Sequence, residues 1–260
     1  MVRRSLIFMK KARNQRLIYN LNNQNILNKL LRIIYEKNNP VEKAAAEFVK
    51  MASMGKDAPR LFMFSGGSAL EIARCLPKNF FTASDTVTVL DERYTLEEKD
   101  SNFAGLIKFF DNKISTIDTR PKKGESLEEV ADRFEQKLKL WKENNPDGKI
   151  IITQGVGEDG HTAGILPFPE DKEKFSELFR NSDKLVAGYR VPVEKNKHAE
   201  RITVTINFLL NQVAVSLLYV CGENKKEILA KVLSGKADLT ETPAAAVLGM
   251  KEVLLVTDIN

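Results

Sequence analysis

The sequence of 260 residues has few of the side chains that bind metals or form disulfides. There are two histidines, His161 and His198, and two cysteines, Cys75 and Cys221, and the four are scattered along the chain. Metal sites need clustered ligands, so these residues predict no metal site. The cysteines stand in apolar surroundings, which is typical of buried, reduced thiols in a cytoplasmic protein.

Long apolar runs are also missing from the sequence. The longest, from Val213 to Cys221, is interrupted by Ser216 and is far shorter than the ~20 residues that span a bilayer. The sequence therefore predicts no membrane span.

Acidic residues are absent from residues 1–35, which hold eight Lys or Arg side chains. The other 225 residues carry 32 basic and 35 acidic side chains. A basic segment on a mildly acidic body does not fit a nucleic-acid-binding face across the fold. We interpret residues 1–15 as a basic N-terminal extension and residues 16–260 as a single α/β domain.

Segments typical of strands alternate with segments of helical periodicity along the chain. This alternation predicts an α/β fold with a doubly wound, mostly parallel sheet and helices on both faces. A capping box of Ser126 and Glu129 starts one helix, which Asn145-Pro146 ends. Strands are expected at 16–20, 61–64, 86–90, 150–152, 185–191, 213–221 and 253–257, and helices at 25–35, 40–54, 69–76, 126–145 and 171–180.

The most informative stretch begins with three isoleucines at 150–152, which predict a strand buried on both faces. A glycine-rich turn follows and leaves Asp159 and His161 projecting from a tight loop. Ligands of an open parallel sheet bind at the carboxyl ends of its strands, where this loop is expected. Histidines titrate near neutral pH, with an unperturbed pKa of roughly 6.5, so His161 is a candidate acid or base.

Two other interpretations of this loop are open. Its glycines satisfy the G-x-G-x-x-G pattern of dinucleotide-binding turns, but Pro167 and Pro169 come too early for the long helix that such a site needs. Asp159 would also face the negatively charged pyrophosphate. Alternatively, His161 is a capping or core histidine with no chemical role.

A second candidate site follows the strand predicted at 61–64. Glycines at a strand-to-helix turn expose backbone N–H groups to a phosphate, and serine hydroxyls add further donors. Alternatively, Ser68 only caps the helix and the glycines only form the turn. The segment lacks the lysine of a P-loop, which disfavours a nucleoside triphosphate. The candidate residues are Ser65, Gly66, Gly67 and Ser68.

Three charged residues, Asp91, Glu92 and Arg93, follow the strand predicted at 86–90. Charges directly after a buried strand cost free energy unless they are paired or used in a site. A solvated loop is the alternative. Ser101 or Asn102 is the expected N-cap of the helix that follows.

These motifs resemble those of the 6-phosphogluconolactonase family, whose superfamily also contains glucosamine-6-phosphate deaminases and ribose-5-phosphate isomerases. Two pairs depart from the family pattern: Ala69-Leu70 replace a Thr-Pro pair, and Gly164-Ile165 replace a Ser-Leu-type pair. Both adjoin ligand loops and affect fine substrate contacts more than reaction type. The resemblance runs from near Pro40 to the C terminus and rests on Ser65-Gly-Gly-Ser68, Asp91-Glu-Arg93 with Ser101-Asn102, Gly155 to Thr162 with Leu166-Pro167, Arg201-Ile-Thr203, Gly222-x-x-Lys225 and Pro243-Ala-Ala245.

The resemblance implies a Rossmann-like sugar-phosphate isomerase fold. It also implies hydrolysis of 6-phospho-D-glucono-1,5-lactone to 6-phosphogluconate in the oxidative pentose phosphate pathway, without metal or organic cofactor. The expected partner is thus a phosphorylated sugar lactone, bound by a cytoplasmic monomer or small homo-oligomer that contacts neither nucleic acid nor membrane.

The same resemblance assigns roles to individual residues. His161 is the expected general base for water, with Asp159 or a neighbouring group orienting its ring. Arg93 is expected to stabilise the oxyanion or bind sugar hydroxyls, with Asp91 orienting Arg93. The expected phosphate ligands are Ser65, Gly66, Gly67, Ser68, Arg201 and Lys225.

Two alternative functions use the same motifs. A deaminase-isomerase resembles this pattern through Asp-Gly-His, but has an acidic residue where this chain has Leu166 and a tyrosine where it has Arg93. A non-catalytic sugar-phosphate sensor would keep the phosphate loop and lose the base. The presence of His161 disfavours the sensor.

Overall fold

The structure, a computed structural model, describes residues 30–53, 58–110, 114–181, 183–192, 194 and 196–260. The strand predicted at 16–20 lies outside these residues. The strands are β1 (Leu30–Tyr35), β2 (Arg60–Phe64), β3 (Thr86–Val89), β4 (Asp91–Arg93), β5 (Ser115–Thr116), β6 (Lys149–Gly155), β7 (Val186–Arg190), β8 (Glu200–Val204), β9 (Val213–Val220) and β10 (Glu252–Thr257). The helices are α1 (Pro40–Ser53), α2 (Glu71–Arg74), α3 (Asn102–Ile107), α4 (Leu127–Asn144), α5 (Lys172–Phe179), α6 (Ile206–Asn211) and α7 (Lys226–Leu233).

The larger sheet is parallel throughout and has the strand order β1-β10-β9-β6-β2-β3-β5. The strand order reverses direction at the boundary between β2 and β6. From β2 the chain adds β3 and β5 on one side, and from β6 it adds β9 and β10 on the other. Connections that diverge at such a boundary leave a crevice at the carboxyl ends of the strands. The predicted doubly wound α/β fold is confirmed.

Both faces of this sheet are buried, because successive side chains of a strand point to opposite faces. In β2, Leu61 and Met63 pack into one apolar core, and Phe62 and Phe64 pack into the other. Complete burial of each such side chain contributes about 1.5–3 kcal/mol to folding. Helices α4 to α7 supply side chains to the first core, and α1 to α3 supply the second.

A smaller antiparallel sheet has the order β4-β8-β7. Leu90 joins the two sheets, since its N–H donates to the carbonyl of Phe64 and its own carbonyl accepts from the N–H of Val204. The pairing buries Asp91 and Glu92, so the solvated-loop interpretation of this segment is wrong.

Helix ends follow the sequence signals closely. In the predicted capping box, Ser126 Oγ accepts from the N–H of Glu129 at 3.2 Å, and the Glu129 carboxylate accepts from the N–H of Ser126 at 2.7 Å. Ser101 is the N-cap of α3 and accepts from the N–H of Ala104 at 3.0 Å. Helices α1 and α5 lie within two residues of their predicted bounds.

Three local predictions need correction. Residues 30–35 form strand β1 instead of the end of a helix, because Ile33 and Ile34, which are β-branched, extend the sheet edge beside β10. The helix predicted at 69–76 is a 3-10 turn, Gly67–Leu70, followed by the four-residue α2, and Pro77 disfavours further helix. Cys75 and Cys221 are free but only half-buried, not fully buried.

Candidate active site

A cleft of about 360 Å³ lies where the carboxyl ends of β2, β6 and β9 meet the smaller sheet. Ser65 follows β2, the loop with His161 follows β6, and Lys225 follows β9. Because these strands are neighbours in a parallel sheet, their ends bring distant segments together. Of the predicted site residues, the cleft is lined by Ser65, Gly66, Gly67, Ser68, Asp91, Arg93, His161, Arg201 and Lys225, whereas Asp159 contacts His161 instead.

His161 and Asp159 form a hydrogen-bonded pair. Nδ1 of His161 is 2.6 Å from Asp159 Oδ1, which also accepts the backbone N–H of His161 at 3.0 Å. Burial opposes ionisation of Asp159, but the hydrogen bonds from His161 outweigh it and hold the pKa of the carboxyl below its usual value. A carboxylate only accepts hydrogen bonds, so Nδ1 carries the hydrogen and Nε2 is left to accept a proton.

Two glycines allow close approach beside these groups. A Cβ at Gly157 would overlap the His161 ring, and a Cβ at Gly164 would overlap the Asp91 side chain. Gly164 also has a φ of +74°, which disfavours any other residue. In this chain, a side chain at position 164 would therefore displace Asp91.

The turn that contains Gly164 is strained and firmly held. Ala163 has a φ of +50°, a left-handed conformation that costs a non-glycine residue roughly 1–2 kcal/mol. The Tyr189 hydroxyl donates to the carbonyl of Gly164 at 2.5 Å, and the Thr203 hydroxyl donates to the carbonyl of Ala163. Both donors come from the smaller sheet, so that sheet positions the loop after β6.

Asp91 faces Arg201 and Asn102. Its Oδ2 is 3.3 Å from Nη1 of Arg201 and 3.3 Å from Nδ2 of Asn102, which also donates to the carbonyl of Asp91 at 2.9 Å. Arg93 donates from Nη1 to the carbonyl of Asp100 at 2.8 Å. The prediction that Asp91 orients Arg93 is therefore wrong, because antiparallel pairing brings Arg201 to the same face and Arg201 takes the carboxylate.

Glu92 is completely buried, and all of its acceptor capacity is used. Its Oε1 accepts from the N–H groups of Arg93 at 2.9 Å and Asn102 at 2.7 Å. Its Oε2 accepts from the Ser101 hydroxyl at 2.8 Å and the N–H of Phe103 at 2.9 Å. Burial raises the pKa of Glu92 although these donors act to lower it. Glu92 thus ties the start of α3 to β4 and fixes the backbone of Arg93 and Asn102.

Arg93 and Arg201 stand directly opposite each other across β4 and β8. Opposed residues have Cβ atoms about 4.5–5.5 Å apart, and like charges so placed are destabilising. Among the described residues, the buried Nε atoms of both arginines have no hydrogen-bond partner. Two cations placed so closely at one wall of the cleft favour the binding of an anion there.

The 65–68 segment offers further donors to the cleft. The N–H of Ser65 donates to the carbonyl of Thr153 at 3.2 Å, whereas those of Gly66 and Gly67 form no hydrogen bond within the described part of the chain. Ser68 lies inside the 3-10 turn and caps no helix, so the interpretation of Ser68 as a cap is wrong. Because α2 is short, its dipole adds less than a full helix would.

Three polar side chains that were not assigned to the site also line the cleft: Asn102, Asn196 and His198. Asn102 was predicted only as a possible cap, although its place in the family-like motif was a signal for the site. His198 is one of two histidines and lies three residues before Arg201. That proximity was the available signal for the loop before β8.

The charged or titratable side chains of the cleft are Asp91, Arg93, His161, His198, Arg201 and Lys225. Lys225 is half-buried and makes no ion pair with another described residue. Within the described ranges, His, Cys, Asp and Glu side chains form no group of three that could hold a metal ion. No helix in those ranges combines the length and apolar character needed to cross a membrane.

Named relatives match part of this chain. This chain is 26% identical over 161 residues to the "Probable 6-phosphogluconolactonase" of Dictyostelium discoideum. The match covers 60% of this chain and 64% of the relative. The chain is 28% identical over 109 residues to the 6-phosphogluconolactonase of Synechocystis sp., which covers 42% of this chain and 40% of the relative. The chain thus spans less than two thirds of the length of the curated relatives it matches.

Solved structures of low sequence identity share the fold. The 6-phosphogluconolactonase of Thermotoga maritima is similar with a TM-score of 0.67 at 18% identity, covering 87% of this chain and 99% of that chain. The 6-phosphogluconolactonase from Plasmodium vivax is similar with a TM-score of 0.68 at 16% identity. The match covers 90% of this chain and 91% of that chain.

A family model, described as glucosamine-6-phosphate isomerases/6-phosphogluconolactonase, matches residues 36–256. This range covers most of the chain and contains every residue that lines the cleft. The chain therefore belongs to the glucosamine-6-phosphate isomerase/6-phosphogluconolactonase family.

Proposed function

We propose that this chain hydrolyses 6-phospho-D-glucono-1,5-lactone to 6-phosphogluconate, a step of the oxidative pentose phosphate pathway. The observation that carries the proposal is the pair of His161 and Asp159, whose Nδ1 and Oδ1 atoms are 2.6 Å apart. The pair lies at a cleft that is also lined by three cationic side chains, Arg93, Arg201 and Lys225. The names of the relatives support the same substrate. A lactone is an activated ester, so one general base and a positioned water suffice for its hydrolysis.

In the proposed mechanism, His161 acts first as a base and then as an acid. Nε2 takes a proton from water while the water oxygen bonds to C1 of the lactone. The tetrahedral intermediate then breaks the bond between C1 and the ring oxygen, and the imidazolium returns the proton to that oxygen. Water is thereby added across the ester bond, and His161 and Asp159 end in their starting states.

The phosphate end of the substrate is proposed to provide the binding energy that aligns C1 with the water. Its proposed ligands are the N–H groups of Gly66 and Gly67, the hydroxyls of the 65–68 segment, Arg201 and Lys225. Arg93 is proposed to stabilise the oxyanion or to bind sugar hydroxyls. The free N–H groups of Gly66 and Gly67 and the cationic side chains that line the cleft support these assignments.

Leu166 favours lactone hydrolysis over the deaminase-isomerase reaction. In the deaminase pattern an acidic residue at this position partners the histidine in ring opening. Here Leu166 is buried in an apolar core, and its N–H donates to the Tyr189 hydroxyl at 3.1 Å. A leucine cannot exchange a proton, whereas water attack on a closed lactone does not need that second acid.

The proposed setting is a reducing compartment, the cytoplasm, where the enzyme acts as a monomer or small homo-oligomer without metal or organic cofactor. The two free thiols are compatible with reducing conditions. The mild acidity of residues 36–260 disfavours nucleic acid as a partner.

The test is a coupled assay on the purified full-length chain with freshly prepared 6-phosphogluconolactone, corrected for spontaneous hydrolysis. We expect rapid production of 6-phosphogluconate that survives exhaustive chelation, and no ammonia from glucosamine 6-phosphate. Stoichiometric ammonia and fructose 6-phosphate, absent in a His161→Ala control, would overturn the assignment to lactone hydrolysis.

A further inference from the structure

His198 lines the cleft but has no role in the mechanism above. The loop between β7 and β8 that carries it is held by Asn196, whose Oδ1 accepts from the backbone N–H of His198 at 2.9 Å. The same Oδ1 accepts from Nη2 of Arg201 at 3.0 Å. One amide oxygen therefore fixes both the His198 backbone and the guanidinium, and the histidine stays beside the wall formed by Arg93 and Arg201.

The imidazole of His198 is largely buried but forms no hydrogen bond with the described residues. Its side chain is 22% exposed, and Nε2 is 3.9 Å from Asp100 Oδ1, which is too long for a hydrogen bond. Within the described residues, its ring donates and accepts no hydrogen bond. A ring with a free nitrogen that lines the cleft together with Arg93 and Arg201 is available to a ligand.

Charged groups from four elements face this ring. They are Arg93 of β4, Asp100 before α3, Lys197 of the same loop and Arg201 of β8. Burial lowers the pKa of His198; Arg93 lowers it further, Asp100 opposes this change, and Lys197 and Arg201 add to the lowering. Without a bound anion, the ring is therefore neutral at physiological pH.

We propose that His198 is a further phosphate-binding side chain, which becomes protonated when the phosphate of the substrate binds beside Arg201. The inference rests on the proposed function and deepens its phosphate site. A phosphate ester carries about −1.5 to −2 charges at pH 7, and this charge offsets the positive field of the arginines at the imidazole. The imidazolium N–H then donates a charge-assisted hydrogen bond to a phosphate oxygen.

Protonation linked to binding has a measurable signature. Ligand binding raises the pKa of His198, so the protein takes up a proton when the pH lies between the free and bound values. Affinity for a phosphorylated ligand gains from His198 as pH falls through the bound-state pKa. For a rise of one unit, this gain in affinity approaches about tenfold once the pH lies below the free-state pKa, and it vanishes above the bound-state pKa.

The chain suits a direct test by NMR, because it contains only two histidines. His161→Gln and His198→Gln each remove one imidazole signal and so assign the other. Both imidazoles of the full-length chain are titrated alone, with 6-phosphogluconate, and with gluconate, which lacks the phosphate. We expect 6-phosphogluconate to raise the pKa of His198 by about one unit, and gluconate to leave it nearly unchanged.

Binding measurements give a second readout. The dissociation constant of 6-phosphogluconate is compared between wild type and His198→Gln at each pH, so that ionisation of the ligand itself cancels. The variant keeps a side-chain donor but cannot gain a proton. We expect its loss of affinity to be negligible near pH 8.5 and to rise toward about tenfold as the pH falls below the free-state pKa of His198.

The outcomes separate this inference from the proposed function. If 6-phosphogluconate perturbs His161 and the lactone is hydrolysed while the pKa of His198 stays fixed, the inference is overturned and the function stands. An equal rise with gluconate would assign the contact to a carboxylate and also overturn it. If the phosphosugar does not bind and the lactone is not hydrolysed, both fail together.

Discussion

The two walls of the cleft hold their charged groups in different ways. In the loop after β6, the side chains of His161 and Asp159 are 38% and 50% exposed. Across β4 and β8, those of Arg201 and Asp91 are only 8% and 6% exposed. Exposed ion pairs contribute about 0–1 kcal/mol to folding, whereas loss of one partner from a buried pair costs about 3–5 kcal/mol.

This difference in exposure matches the proposed roles. The exposed pair is proposed to carry out the chemistry, and the buried charges are proposed to position the substrate. As the proposed general base, His161 has to exchange protons with water and substrate, so it needs access to the cleft, and its contribution to stability stays small. In the proposed mechanism, Arg93 and Arg201 bind and orient the substrate, which requires fixed charges, and burial between paired strands fixes them. The buried charges are therefore expected to couple binding to folding, and the exposed pair is expected to act on turnover alone.

The largest expected effect is on turnover in His161→Ala. Loss of a general base lowers kcat by about 10²–10⁴-fold. Because the His161 side chain is exposed, the free energy of unfolding of the variant should differ from that of the wild type by less than about 0.5 kcal/mol, measured by urea denaturation. Near-normal turnover would exclude His161 as the base, and a large loss of stability would contradict the contrast between the walls.

The next effect distinguishes Arg201→Ala from its matched control, Lys225→Ala. Both should weaken a phosphorylated ligand far more than its unphosphorylated analogue. Arg201→Ala also leaves the Asp91 carboxylate buried without its cation, which should cost about 3–5 kcal/mol of unfolding free energy. Lys225 has no ion-pair partner among the described residues, so its variant should unfold like wild type. Equal stability losses in the two variants would refute this explanation.

The smallest expected effect is that of Asp159→Asn on kcat. The amide no longer selects the tautomer of His161, so kcat should fall by about tenfold. The loss is smaller than the roughly 10⁴-fold known for a buried triad aspartate, because water can replace a half-exposed carboxylate. The free energy of unfolding should be nearly unchanged.

The dependence of the wild-type kcat on pH provides the control for the prediction about Asp159→Asn. The pKa of Asp159 is lowered, so its carboxylate supports His161 at every pH above about 3.9 and loses that role only as pH falls further. The kcat profile should therefore show no second ionisation near pH 4. An additional acid step in that range would contradict the proposed pairing with His161.

Residues that act within one loop were predictable from the sequence. Asp159 and His161 are two residues apart in a glycine-rich turn, so their hydrogen bond needs only local geometry. The capping residues Ser126 and Glu129 are another local case. Such contacts depend on a few backbone dihedrals, which the identities of neighbouring residues largely determine.

Contacts between distant segments were not predictable in the same way. Asp91 was expected to pair with its near neighbour Arg93, but it pairs with Arg201, which is 110 residues away in the chain. The choice follows from the register of β4 and β8, which periodicity in either segment alone does not specify. The positions of Asn196 and His198 in the cleft depend on the same register, because their loop leads into β8.

By itself, the sequence determined the doubly wound parallel sheet and most of the residues at its carboxyl edge, because buried strands and glycine turns have local signatures. It did not determine edge strand β1, for which apolar spacing also fits a helix and only the pairing with β10 selects a strand. The tertiary structure alone decided which charges are buried together. The pairing of Asp91 with Arg201 arises when β4 and β8 meet, since the cost of burying each of these charges is offset by the partner from the other strand.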